Sequence, residues 1–170
     1  MTMFASGGAI VKAGRAVPAV DTKRSAAEAA LRPVGGVGEI QVVGALADEV
    51  VQALRLESDA RSVWLHPNVV QHIQERRTQE DATFVLEHMA STILRPHHAG
   101  PDPRIHRCYA LVKQVDDRYV FIAIKCVTAD YVRRHADEIW ISTAYVLGDE
   151  ILTRKRWANM LAAVLWDGRA

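Results

Sequence analysis

Apolar positions begin to recur with a fixed period only after about residue 38. A short apolar run over 39–43 predicts a strand. Over 45–56, Leu46, Val50, Ala53 and Leu54 stand at i, i+4, i+7 and i+8, one stripe of an α-helix. A second short strand is expected over 61–65, after which Pro67 and Asn68 punctuate the chain. Val69, Val70 and Ile73 mark the apolar face of a short helix over 69–77. Val85, Leu86, Met89, Ile93 and Leu94 spread over a broad arc of a longer one at 79–94. The stretch 95–103, with three prolines and one glycine, reads as a loop. Beyond it the period falls from 3.6 to 2. Strands are expected over 107–115, 118–127 and 138–147, with Asp116-Asp117 turning a tight hairpin and a longer connection over 128–137. A closing helix over 152–165 places Trp157, Met160, Leu161, Val164 and Leu165 on one stripe. Helices, then strands, then a last helix is an α+β order. The expected fold is N-terminal helices packed on one face of a small antiparallel sheet, with a C-terminal amphipathic helix.

Residues 1–37 are poor in large apolar side chains and rich in Gly, Ala and Pro, so they read as a flexible leader or linker before a single domain over 38–170. The domain is long enough to bury a core of its own. With 21 Lys plus Arg against 20 Asp plus Glu, the net charge of +1 gives no whole-chain attraction for nucleic acid. Any basic surface must be local. Two cysteines, Cys108 and Cys126, exclude a disulfide framework and a four-thiolate zinc site, and both fall in apolar runs as buried free thiols would. No apolar run approaches the ~18 residues of a membrane span, and no signal peptide opens the chain. A protein of the cytoplasm, or one delivered into a target cell's cytoplasm, is expected.

The chain has no Gly-rich phosphate loop, no His-Glu-x-x-His, no Gly-x-Ser-x-Gly and no Cys-x-x-Cys, which removes the common nucleotide-binding, zinc-protease and serine-hydrolase templates. The seven histidines match no standard metal spacing, so neither metal nor cofactor is expected. His72 and Arg76 are four apart and stack one turn above the other at the border of their helix's apolar face. An imidazole that titrates near neutrality beside a permanent cation suits acid/base work on an anion; a half-buried His and a solvated Arg at a helix end would look the same. In the last strand, strict alternation puts Ile139, Ile141, Thr143, Tyr145 and Leu147 on one face and Trp140, Ser142, Ala144 and Val146 on the other. Thr143 and Tyr145 would then offer two hydroxyls from one surface, although both residue types also favour strands. Arg104, His106 and Arg107 follow the Pro-rich stretch as candidate phosphate contacts, and Lys113 and Lys125 are cations in neighbouring strands.

Taken together, His72-Ile-x-x-Arg76 on one helix, a second helix, Ile93-Leu94-Arg95-Pro96, three strands and the final Ile141-Ser-Thr-Ala-Tyr145 resemble the Barnase–EndoU–colicin–RelE-like superfamily, in particular its phage and prophage branch. The resemblance covers about residues 63–147. It implies a small metal-independent ribonuclease of phage or toxin type, acting on RNA such as tRNA and countered by an immunity or antitoxin protein. Carried to this sequence, it makes His72 the general base or acid, with Arg76 and Arg77 stabilising the phosphorane. Thr143 and Tyr145 would line the scissile phosphate, with Arg104, His106 and Lys113 as further substrate contacts. His106, Glu75 and Lys113 are the candidates for the second acid/base group. The alternative is a catalytically inactive, protein-binding module of the same fold, docking through the closing helix's Trp157, Met160 and Leu161. A transferase holding a dinucleotide on the Ser-Thr-x-Tyr strand ranks below both, because no Glu-x-Glu follows that strand.

Overall fold

A computed structural model describes residues 38–127, 137–148, 159 and 166–168. The leader, most of the 128–137 connection and the apolar stripe expected at Trp157, Met160, Leu161, Val164 and Leu165 lie outside the described residues. Within them the chain is α+β. Seven strands, β1 (Gln41–Ala45), β2 (Ser62–Leu65), β3 (His98–Pro101), β4 (Cys108–Val115), β5 (Arg118–Val127), β6 (Glu138–Leu147) and β7 (Trp166–Asp167), form one sheet ordered β1-β2-β6-β5-β4-β3-β7. Three helices interrupt them: α1 (Asp48–Leu54), α2 (Pro67–Arg76) and α3 (Gln79–Leu94).

Local chemistry sets the helix ends. Asp48 and Glu49 oppose the dipole at the start of α1, which ends at Arg55 in the left-handed region (φ 52°). Pro67 occupies the first turn of α2, and the His66 ring accepts a hydrogen bond from the Asn68 N–H, 3.2 Å. Thr78 caps α3 by accepting from the Asp81 N–H, 3.1 Å. Arg118 at the start of β5 ties the same helix end to the sheet through Asp81 and, at 3.1 Å, Glu80.

Buried residues of all three helices (Val50, Leu54, Ile73, Val85, Met89, Ile93) join one cluster with Val63, Leu111, Val120, Ile122, Ile124, Ile139, Ile141 and Ala144 of the sheet. This is the helix face. Gly44 of β1 faces α3, where a Cβ would meet Ile93 Cγ2 at 3.4 Å, an ordinary van der Waals distance. The opposite face carries its own smaller cluster: Ala110, Val112, Phe121, Ala123, Tyr145 and Leu147. Two-sided burial explains the near-continuous apolar run of β5.

Four expectations need correction. The sheet is mostly rather than wholly antiparallel, since β2 runs parallel to β6, with Val63 opposite Ile139 and Trp64 opposite Trp140. It is also larger than expected. Residues 98–101 are not loop but strand β3, held between β4 and β7; small Ala99 and Gly100 are buried there, and Pro101 sits at the strand's end, where a missing N–H does least harm. Near the C-terminus, Trp166 and Asp167 pair with Ala99 and His98 as an edge strand no periodicity announced. Finally, the alternation of β6 is broken. Ile141 pairs with Ile124 and Thr143 with Ala123, so Ser142 is the extra residue of a β-bulge. Ile139 and Ile141 consequently face the helices, whereas Thr143, Tyr145 and Leu147 face the other way.

Candidate functional site

The bulge decides which surface the hydroxyls of β6 share. Residues directly paired across strands point to the same side, so Thr143 lies with Ala123, and Tyr145 with Phe121, on the second face of the sheet. The Tyr145 and Phe121 rings touch, with centroids 4.7 Å apart. Two guanidinium groups meet on that pair. Arg77, the residue that ends α2, places its Cζ 4.7 Å from the Tyr145 ring centroid. Arg104 places its own 5.0 Å from the same ring and 5.1 Å from Phe121. Guanidinium over an aromatic face is a favourable contact worth roughly 0.5–2 kcal/mol, and it leaves the guanidinium edge able to donate hydrogen bonds.

Arg104 is held there by a turn between β3 and β4. The Asp102 side chain, fully buried, accepts the Arg104 N–H at 2.8 Å and has the Arg104 Nε at 3.5 Å from the same oxygen. The Asp102 N–H donates to the Cys108 carbonyl at 2.9 Å, and Arg107 closes the turn in the left-handed region (φ 63°). Asp102 therefore pins the turn at Arg104 and sets a carboxylate beside its guanidinium.

The expected site residues divide accordingly. Tyr145, Arg77 and Arg104 come together, with Thr143 two positions along the same strand face. Tyr145 is only 3% exposed, Thr143 is half-buried, and Ser142 on the bulge is exposed. His72 and Arg76 lie on the solvent-exposed arc of α2, whose packed side is Val70 and Ile73. His106 is exposed on the 102–107 turn. Lys113 does not join them. It pairs with Val120 on the helix face, and its ammonium donates to the Ser91 carbonyl of α3 at 3.2 Å. Burial, and after it the nearby charge of Arg95, lowers the Lys113 pKa from the ordinary lysine value. Of the three candidates for a second acid/base group, only Glu75 and His106 are solvent-exposed; Glu75 accepts a hydrogen bond from Gln71 at 2.7 Å on α2.

Sequence reasoning missed Asp102 and Phe121. Asp102-Pro-Arg104 carried a usable signal, since Asp followed two residues later by a backbone donor is a turn-forming pattern. Phe121 carried none, because a Phe in a strand is ordinary core material. Among the described residues no group of three or more His, Cys, Asp or Glu is arranged to hold a metal ion, and no helix is long and apolar enough to cross a membrane. No protein-family model matches the chain, and no curated protein or solved structure is significantly similar to it.

Proposed function

We propose that this chain is a ribonuclease-like domain of phage or toxin type, working in a cytoplasm without a metal ion. The observation that carries the reading is the meeting of Arg77 and Arg104 on the Tyr145 ring. Two permanent cations converge there from separate parts of the chain, as recognition of a phosphodiester needs. In this reading the guanidiniums hold the phosphate and take up the charge of the pentacoordinate intermediate. His72, one helical turn before Arg76, removes the 2′-hydroxyl proton. The 2′-oxygen then bonds to phosphorus while the bond to the 5′-oxygen breaks. A proton from Glu75 or His106 goes to that leaving oxygen, and a 2′,3′-cyclic phosphate and a 5′-hydroxyl result. Tyr145 orients the cations and Thr143 contacts the phosphate.

The burial of Tyr145 favours a second reading, an inactive relative that binds a protein such as an immunity partner, because the hydroxyl of a residue only 3% exposed has little access to substrate. One experiment separates the two. Purified protein is incubated with total RNA and with tRNA in excess EDTA, beside His72→Ala and Arg77→Ala. The ribonuclease reading expects discrete cleavage that survives the chelator and falls by about 10²-fold or more in each variant. No cleavage by a well-folded wild type, on either substrate, would favour the binding module.

A further inference from the structure

The second face carries another arrangement, set apart from Tyr145 along β6. Register aligns a single row across five strands: Val42 of β1, Trp64 of β2, Trp140 of β6, Lys125 of β5 and Cys108 of β4. Its middle is two indoles side by side, with centroids 6.1 Å apart and planes tilted by 31°. Val42, Trp64 and Trp140 are all half-exposed, and Lys125 beside them is exposed. The Trp140 Nε1–H donates to Glu138 at 2.7 Å, which satisfies the indole's one donor and fixes the ring. The next residue of β6 on this side is exposed Ser142, then Thr143, then Tyr145 beneath the two arginines. Lys125 and Phe121, the partners of Trp140 and Tyr145, are four steps apart on the unbulged strand β5, so at about 3.3 Å each the indoles and the guanidiniums stand roughly 13 Å apart along the sheet.

We infer that Trp64 and Trp140, with Lys125, form a base-stacking subsite that makes the substrate single-stranded RNA. This rests on the ribonuclease reading and deepens it. Every nucleobase has a π-face, so a pair of half-exposed indoles accepts bases with little sequence preference; stacking on one aromatic is worth about tenfold or more in affinity. A duplex keeps its bases stacked on one another and cannot offer them. The Glu138 carboxylate that accepts the Trp140 Nε1–H borders the indoles as well, so the attraction for a polyanionic strand comes from Lys125 beside them together with Arg77 and Arg104 further along the face. Exposed Ser142 stands between them to contact backbone oxygens.

The test uses the full chain and a short 2′-O-methyl oligouridine, which lacks the attacking hydroxyl and stays uncut, together with the same strand annealed to its complement. The single strand should bind about tenfold or more tighter than the duplex. Trp64→Leu and Trp140→Leu should each weaken single-strand binding about tenfold, Trp64→Phe and Trp140→Phe by less than about threefold, and Lys125→Gln should lower the salt slope by about one. The Leu variants are not the sole readout. In a chain carrying Trp157→Phe and Trp166→Phe, the remaining indole emission should be quenched by the oligouridine and not by inorganic polyphosphate. Unchanged emission, or Leu variants that bind as the wild type does, would overturn the stacking subsite, and EDTA-resistant cleavage would then leave the ribonuclease reading standing. Equal binding of strand and duplex would overturn the single-strand assignment. A wild type that binds neither would overturn both.

Discussion

Two charged side chains of this domain sit where their surroundings work against them, and they are handled differently. The Asp102 side chain is fully buried; its Oδ1 accepts the Arg104 N–H and has the Arg104 Nε at 3.5 Å, whereas its Oδ2 has no hydrogen-bond partner among the described residues, so its charge is compensated on one oxygen only. Lys113 has one carbonyl partner, the burial of its stem and a like charge at Arg95, and its pKa is lowered as a result. The folded chain therefore holds that proton less tightly than the unfolded chain. Between the lowered pKa and the ordinary lysine value the unfolded state binds more protons, so the group makes stability rise with pH through that alkaline window. Below the window its full penalty is present. Lys113→Met removes the titrating group. Urea midpoints across the alkaline range should climb more in wild type than in the variant, and parallel curves would show that Lys113 carries no such penalty.

At the scale of the element, β6 is the strand on which the candidate site depends, and its one irregularity decides the site's geometry. Ser142 is the extra residue, so its deletion would join Ile141 directly to Thr143 and leave a regular ladder. Ile141 would still face the helices and Tyr145 the second face. A chain lacking Ser142 should thus keep a single cooperative urea transition, losing no more than about 1–2 kcal/mol. If β6 alternated without a bulge, the same deletion would turn Thr143, Tyr145 and Leu147 to the wrong side and abolish folding, so loss of the cooperative transition would refute the bulge. The bulge also marks how far sequence could go. The extent of β6 was legible from its apolar and β-branched run. A bulge moves every later residue to the other face without altering composition, so strict alternation placed Thr143 and Tyr145 with Ile139 and Ile141. Strand β3 was hidden for a related reason. Ala99 and Gly100 belong to a strand because β4 and β7 lie on either side, a condition only the folded chain supplies.

For the molecule as a whole, the sheet is the shared wall between two unequal clusters, and β5 belongs to both. Val120, Ile122 and Ile124 face the helices, Phe121 and Ala123 face the second side, and all five are fully buried. Periodicity had revealed the three helices and the long strands, because each obeys a local rule. The pairing of short β2 with β6 and the closure of the far edge by β7 follow no local rule, since they join residues far apart in the chain. Protection against hydrogen exchange should follow the same division. The β5 backbone is bonded to β4 on one side and β6 on the other along nearly its whole length. Its amides over 120–124 point alternately to β4 and β6 and lie between the two buried clusters, so exchange across the whole stretch needs both ladders to part, which is global unfolding. Their opening free energy should equal the whole stability of the domain, within the roughly 5–15 kcal/mol usual for domains of this size. Among the described residues β1 pairs only with β2, and α1 spans seven residues, so both can open locally and should exchange at a smaller free energy. Hydrogen exchange read by mass spectrometry, beside a urea denaturation, makes the comparison. Exchange of 120–124 as fast as that of 41–45 would mean that the sheet does not unfold as one unit and that the two clusters stabilise their faces independently.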